Sequence, residues 1–298
     1  TRHSTLFPYT TLFRSDSTAN LTPELAQAHD ISVIPLNVHW GEETYLDGIT
    51  LDIPTFYRML QERKDFPMTS QPSVGDFMTF FRQVAERYEA DTIVGVFLSS
   101  LLSGTLASAI QAKAELPELR IELHDSRSVS MGVGFQALVA ARANQTGASV
   151  EEILHATAKV RSRMELLIAL NTLEYLHRGG RIGGAARLLG TLLNFKPMLT
   201  MEGGKIDALG KARSRRKSLE SLVAEALKRL AGRRPVELAV MHTPEDPDIP
   251  LLLDMVKEQL QPQQITTGLL SPVLGTHGGP GAIGLVFYTE SNGIGTYA

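Results

Sequence analysis

The 298-residue sequence contains no cysteine, which excludes disulfides and thiolate-held metals and is compatible with a reducing cytoplasm. It has no Gly-x-x-x-x-Gly-Lys-Ser/Thr segment and so lacks a phosphate-binding loop for ATP. Its formal net charge is -3, so no basic field marks a nucleic-acid partner and none is expected. No apolar run reaches the roughly 18–20 residues of a membrane helix. Residues 1–15 lack the basic-then-apolar order of a signal peptide. A soluble cytoplasmic protein is therefore expected. His39, His124, His155, His177, His242 and His277 are scattered, with no His-x-x-x-His pair, so no metal site is expected.

What is present reads as an ordinary globular chain, 43% apolar and 20% charged, long enough for two domains. The organising stretch is 92–105. Residues 93–98 form an apolar run of strand length that empties into Ser99, Ser100, Ser103 and Thr105. A helix is expected over 104–116, capped by Ser103 or Ser100. Hydroxyls and helix-start N–H groups then gather at the carboxyl end of a central strand. Open α/β sheets bind ligands there, and helix starts favour anions.

Around this stretch, strands alternate with helices. Thr22-Pro23 opens a short helix, 31–40 reads as a strand, and Asp52 starts a helix through about 64. A loop over 66–73 follows, and Ser73 caps a helix over 74–89 with Asp76 as capping-box partner. A strand at 120–124 and a helix at 131–144 complete a parallel, Rossmann-like doubly wound sheet. Ser149 and Glu152 open one more helix, whose charged end at 159–165 is the expected boundary. Beyond it we expect an α/β domain with a mixed sheet. Its parts are a strand at 165–173, a loop to 184, a small-residue helix at 185–193 and a hairpin at 196–211 turning at Gly203-Gly204. A basic-ended helix at 213–231, a strand at 236–242, a helix at 249–260 and a strand at 265–270 follow. A loop at 271–281 then delivers the last strand at 282–288. The domains are thus 16–160 and 161–298.

Residues 1–15 stand apart. They repeat Thr-Leu-Phe at 5–7 and 11–13 and resemble translated sequencing-adapter sequence. They are expected to be non-native and to have replaced a first strand, although 10–13 could serve as a makeshift one.

Familiar catalytic patterns are weak. Gly132-Val133-Gly134-Phe135-Gln136-Ala137 lacks the acidic residue that should end a second strand, so these glycines read as packing residues rather than a dinucleotide site. His277-Gly278-Gly279 superficially matches an oxyanion-hole loop, yet no Gly-x-Ser-x-Gly elbow accompanies it. What remains is a set of polar loops at strand ends: Asp16-Ser17, Thr69-Ser70, Ser99-Ser100, Ser126 and His277. They offer donors without a base to activate a nucleophile, which suits binding a small anion better than turning it over.

Several motifs stand in order along the chain: Asp16-Ser17-Thr18-Ala19-Asn20, Thr69-Ser70-Gln71-Pro72-Ser73, Ser99-Ser100-Leu101-Leu102-Ser103-Gly104-Thr105, Leu173 through Ile182, Lys196-Pro197, and Thr276-His277-Gly278-Gly279-Pro280-Gly281-Ala282. In these the chain resembles the DegV family of fatty-acid-binding subunits of bacterial fatty acid kinase. The departures are Leu101, where the family usually has Gly, Gly278, where it usually has Thr or a similar residue, and the family's first β-strand, which is missing or overwritten by the opening segment. The resemblance implies two α/β domains holding one long-chain fatty acid, with its carboxylate near the domain junction and its acyl chain in a tunnel of the second domain. It implies carboxylate binding by Thr69, Ser70, Ser99, Ser100, His277 and Gly278. No catalytic residue, cofactor or metal is implied for this chain. A partner kinase would bring ATP and phosphorylate the carboxylate. Arg178, Arg181, Arg213, Arg215 and Arg216 are the expected contacts to that kinase or, transiently, to an anionic membrane surface. The alternatives are a hydrolase acting on an acyl or phosphate ester at a Ser100/His277 site, and a carrier of another amphipathic acid.

Overall fold

The computed structural model describes residues 11–90, 92–190 and 195–290. The chain divides into two compact units. The first comprises 11–162 with two later segments, 203–205 and 271–276; the second comprises 163–202, 206–270 and 277–290. Among the described residues no helix is long and apolar enough to cross a membrane.

The first unit opens with β1 (Thr11–Asp16), α1 (Pro23–Ala28), β2 (Ile31–Ile34), β3 (Asn37–Trp40), β4 (Glu43–Leu46), α2 (Ile53–Glu62) and β5 (Met68–Ser70). It continues with α3 (Val74–Tyr88), β6 (Thr92–Phe97), α4 (Thr105–Ala114), β7 (Arg120–Asp125), α5 (Met131–Gln145) and α6 (Val150–Arg161). Four strands form a parallel sheet in the order β2-β1-β6-β7. β6 is buried along its whole length, as its uninterrupted apolar run requires of a strand covered on both faces. Phe77, Phe81, Ile93, Phe97, Ala109 and Ile121 pack together over it. Strand order reverses between β1 and β6, so the crevice outside their carboxyl ends is the topological switch point where such sheets take ligands.

Some local readings hold and others give way to tertiary structure. Ser73 makes its capping box with Asp76, and Ser149 makes one with Glu152. The expected strand at 31–40 is two strands in different sheets. β3 leaves the parallel sheet to sit between β4 and β5, burying Trp40, whose Nε1 donates to the Asp65 carbonyl at 3.1 Å. The loop expected at 66–73 contains β5. Gly104, rather than Ser100 or Ser103, is the N-cap of α4; Ser103 Oγ instead accepts from Thr105 N at 3.3 Å.

β1 shows the cost of the unusual opening. It pairs in register with both β2 and β6, so the 11–13 part of the makeshift strand forms, while Thr10 lies outside the described residues. Arg14, however, is fully buried with Nε and Nη2 lacking partners. Its guanidinium lies 5.9 Å from the Phe80 ring centre and 5.8 Å from that of Tyr88. Burial pushes it down to about 10, so it stays charged at neutral pH.

The second unit contains β8 (Met164–Ala169), α7 (Glu174–Arg178), β9 (Lys196–Glu202), β10 (Lys205–Ala212) beyond its first residue, α8 (Arg215–Leu230), β11 (Pro235–His242), α9 (Ile249–Met255), β12 (Gln264–Leu269) and β13 (Ile283–Thr289), whereas α10 (Pro272–Gly278) belongs to the first unit up to Thr276 and to the second from His277. Its sheet runs β10-β9-β8-β13-β11-β12 and is mixed: β11 is parallel to β12 but antiparallel to β13. The 196–211 hairpin turns at Gly203-Gly204, both at positive φ, where glycine is favoured. The core joins Leu219, Leu222 and Val223 of α8 to Leu238, Val240 and Leu285 of the sheet. Two expectations are corrected here. Residues 183–188 form a 3-10 turn rather than the start of a helix over 185–193, of which 191–193 lie outside the described residues. The loop expected at 271–281 is largely α10, opened by Pro272 in its first turn.

Candidate ligand-binding site

In the first unit the polar strand ends converge at the switch point. Asp16 ends β1. Its Oδ2 accepts from Leu98 N at 2.9 Å, and its Oδ1 accepts from Thr18 N at 2.9 Å and from the Thr18 hydroxyl. Burial pushes this carboxyl up to about 6, with nearby Asp47 adding to the rise. Asp16 thereby anchors the residue that precedes Ser99. Ser99 is fully buried; its Oγ donates to the Gly204 carbonyl at 2.6 Å and accepts from Leu101 N at 3.3 Å.

Ser100 faces the other way. It is exposed, and its Oγ donates to Asp125 Oδ2 at 2.6 Å. Asp125 Oδ1 accepts from Ser100 N at 3.2 Å and from Arg127 N at 3.1 Å, so one carboxylate ties the loop after β6 to the loop after β7. The Ser100 hydroxyl proton is thus directed to a carboxylate that already carries an Arg127 ion pair at 2.8 Å.

Thr69 and Ser70 project from opposite faces of the small sheet, because alternate strand residues point to opposite sides. Thr69 is registered with buried Val38, and Ser70 with Asn37. Ser70 Oγ accepts from Asn37 Nδ2 at 3.3 Å and lies 2.8 Å from His39 Nε2. The strand end reaches the serine loop: a Cβ at Gly104 would stand 3.0 Å from Gln71 Nε2. Asp47 organises a third edge, accepting from Ser271 Oγ at 3.0 Å and Val273 N at 3.1 Å at the start of α10. Burial holds the Asp47 carboxyl above its usual range.

In the second unit His277 occupies the last turn of α10. It packs so closely on Gly179 that a Cβ there would stand 2.3 Å from its Nδ1. Burial, with Arg181 adding repulsion, pushes the imidazole down to about 4. It is therefore neutral at pH 7 and donates through one ring nitrogen only, whereas the sequence alone leaves both protonation states open. Gly278 closes the same helix. The glycine turn that follows is held by Asn171 Nδ2, which donates to the Pro280 carbonyl at 3.0 Å, and by Gly281 N, which donates to Thr243 Oγ1 at 3.1 Å.

The expected partner-contacting cations differ in availability. Arg178 is exposed and pairs with Glu174 at 2.8 Å. Arg181 Nη1 donates to the Gly179 carbonyl at 2.7 Å. Arg215 is engaged by Asp246 at 2.5 Å and Asp248 at 3.5 Å, with 18% of its side chain exposed. Arg216 is 73% exposed and pairs with Glu220 one turn on, and Arg213 is exposed. Partners such as Glu220 and Asp246 offset the unfavourable dipole that cations meet at the start of α8.

Neither Asp125 nor Arg127 stands out in the sequence. Both lie in the polar stretch Asp125-Ser126-Arg127-Ser128 at the carboxyl end of β7, where only Ser126 is a candidate on sequence grounds. Their position at a strand end is the signal that could have found them.

Comparison with known proteins places this geometry. The family described as "Uncharacterised protein, DegV family" matches residues 15–290. A DegV domain-containing protein of Deinococcus radiodurans is 35% identical over 278 residues, covering 91% of this chain and 95% of its own. The solved structure of a DegV family protein from Thermus thermophilus, described by its fatty acid binding, superposes with a TM-score of 0.88 at 32% identity, covering 94% of this chain and 99% of that one. DegV of Bacillus subtilis, described as a fatty acid binding protein, gives 0.86 at 27% identity, with 95% and 100% covered. The match over nearly the whole chain, on a parallel sheet followed by a mixed one, establishes that this chain belongs to the DegV family.

Proposed function

We propose that the protein binds one long-chain fatty acid and presents its carboxylate to an ATP-dependent partner kinase, which forms the acyl phosphate. The observation that carries the binding is the fatty-acid ligand named for the Thermus thermophilus and Bacillus subtilis proteins of the same fold. In the first unit the proposed head-group ligands are Thr69 and Ser99, whose hydroxyl turns from the Gly204 carbonyl to donate to the carboxylate. Ser100 contributes its loop, and Ser70 supports from the opposite face of its strand. In the second unit His277 donates through one N–H, beside Gly278. In these contacts the negative charge is the ligand's own, and the chain supplies donors rather than a base. Burial of each methylene contributes about 0.8 kcal/mol. A sixteen-carbon chain therefore offers roughly 10 kcal/mol before ordering costs. The head group needs only to satisfy a carboxylate whose unpaired burial would cost several kcal/mol. Arg178, Arg181, Arg213 and Arg216 are the cations proposed for kinase or anionic-membrane contact, with Arg215 bracing the start of α8 through Asp246. A cytoplasmic location fits this role.

Native mass spectrometry of the purified protein, with extraction of whatever is bound, tests the reading. One fatty acid per chain, diminished by Ser99→Ala or His277→Ala, is expected. A protein that arrives empty and takes up no added fatty acid would refute it. Steady hydrolysis of an acyl ester, lost in Ser100→Ala, would favour the hydrolase instead.

A further inference from the structure

The first unit's proposed head-group donors are hydroxyls and amides, with no cation so far placed against the serine loop. The first unit supplies one. Arg127 lies at the carboxyl end of the sheet, just after β7, with a backbone φ of 51° that is uncommon for a non-glycine residue. Its side chain is bracketed by both serines. Arg127 Nε and Ser100 Oγ share one acceptor, Asp125 Oδ2, at 2.8 and 2.6 Å. On the other flank, a Cβ built on Gly204 would meet Ser99 Oγ at 2.7 Å and Arg127 Cδ at 2.8 Å, so the Arg127 stem and the Ser99 hydroxyl meet over the same glycine. The Asp125 ion pair engages Nε, and 45% of the side chain remains exposed. A guanidinium held through Nε presents its Nη groups as a fixed fork suited to a carboxylate.

We propose that Arg127 is the charge-selecting residue of the head-group site, making the protein prefer a fatty acid over an uncharged ester of the same chain. The proposal rests on the fatty-acid-binding reading. It adds that the preference for an ionised head group comes from Arg127, while the acyl chain supplies affinity without regard to charge. Asp125 takes part on both sides: it orients Arg127 through Nε and fixes Ser100 through its amide and hydroxyl.

The test compares binding of hexadecanoic acid and its methyl ester to the full chain. The unmutated protein should bind the acid more tightly. Arg127→Gln should lower acid affinity about tenfold and leave the ester within about twofold, as loss of a charge-assisted hydrogen bond requires. Arg127→Lys should recover part of the preference. A purely structural role would weaken both ligands together. Raising ionic strength gives an independent reading without mutation: the acid-to-ester ratio should fall as Arg127 is screened. Equal losses for acid and ester, or an unchanged ratio in Arg127→Gln, would overturn this assignment and leave the fatty-acid reading standing. An unmutated protein that binds neither ligand would overturn both.

Discussion

At the scale of single residues, the first unit carries two buried charges, each penalised by desolvation. Asp16 receives three donors, yet burial dominates and raises its carboxyl from 3.8 to about 6. The folded chain therefore holds the proton more tightly than the unfolded chain between those values. The resulting stabilisation, roughly 3 kcal/mol, is complete below about pH 4 and is lost as pH rises through 6. Chemical denaturation from pH 4 to 7 should show the unmutated protein losing stability relative to Asp16→Asn; parallel curves would contradict this. Arg14 is the second case. Its buried Nε and Nη2 lack partners, and two aromatic rings offset only part of the desolvation. Arg14→Leu should stabilise the protein by about 1–4 kcal/mol, as replacing buried charge with apolar volume often does. A lowered unfolding midpoint in that variant would show that the ring contacts outweigh the desolvation.

At the scale of elements, His277 at the end of α10 and the Gly179 segment are fitted to each other. Gly179 leaves no room for a Cβ under the His277 ring. Gly179→Ala should displace that ring and weaken fatty-acid binding about tenfold or more while leaving the fold intact, as read by circular dichroism and ligand titration. Undiminished affinity would show that His277 does not set the head-group contact. The α3 capping box makes a contrasting prediction. Ser73 N and Oγ both donate to Asp76 Oδ2 at 2.8 Å, and Asp76 N donates to Ser73 Oγ at 3.1 Å. Ser73→Ala should cost about 1 kcal/mol of stability and leave lipid affinity unchanged. A loss of affinity there would tie the cap to the site.

For the molecule as a whole, a ligand that binds only the folded chain stabilises it by mass action. Fatty acid at a hundred times its dissociation constant should add about 2.7 kcal/mol. Delipidated protein should therefore melt several degrees below the loaded form, the gap closing on re-addition of the acid. Identical midpoints at saturating lipid would argue that no specific site exists.

Much of this molecule is written locally. The apolar run of β6, the Ser73 and Ser149 caps, the Gly203-Gly204 turn and the strand–helix alternation are governed by short-range sterics and periodicity, and the family motifs mark the loops that matter. What the sequence could not decide depends on partners far along the chain. Residues 31–40 look like one strand because periodicity does not say which sheet a strand joins. α10 looks like a loop because its start is fixed by Asp47, more than two hundred residues away. Ser99 and Ser100 look equivalent until Asp125 claims one hydroxyl and the Gly204 carbonyl the other, and Thr69 and Ser70 look paired until the pleat sets them on opposite faces. His277 is open to either charge until burial beside Arg181 makes it neutral. Local order followed from the sequence itself; burial, charge state and the direction of each donor were set only when distant segments packed together, because desolvation and hydrogen-bond geometry belong to the folded surroundings and not to any residue alone.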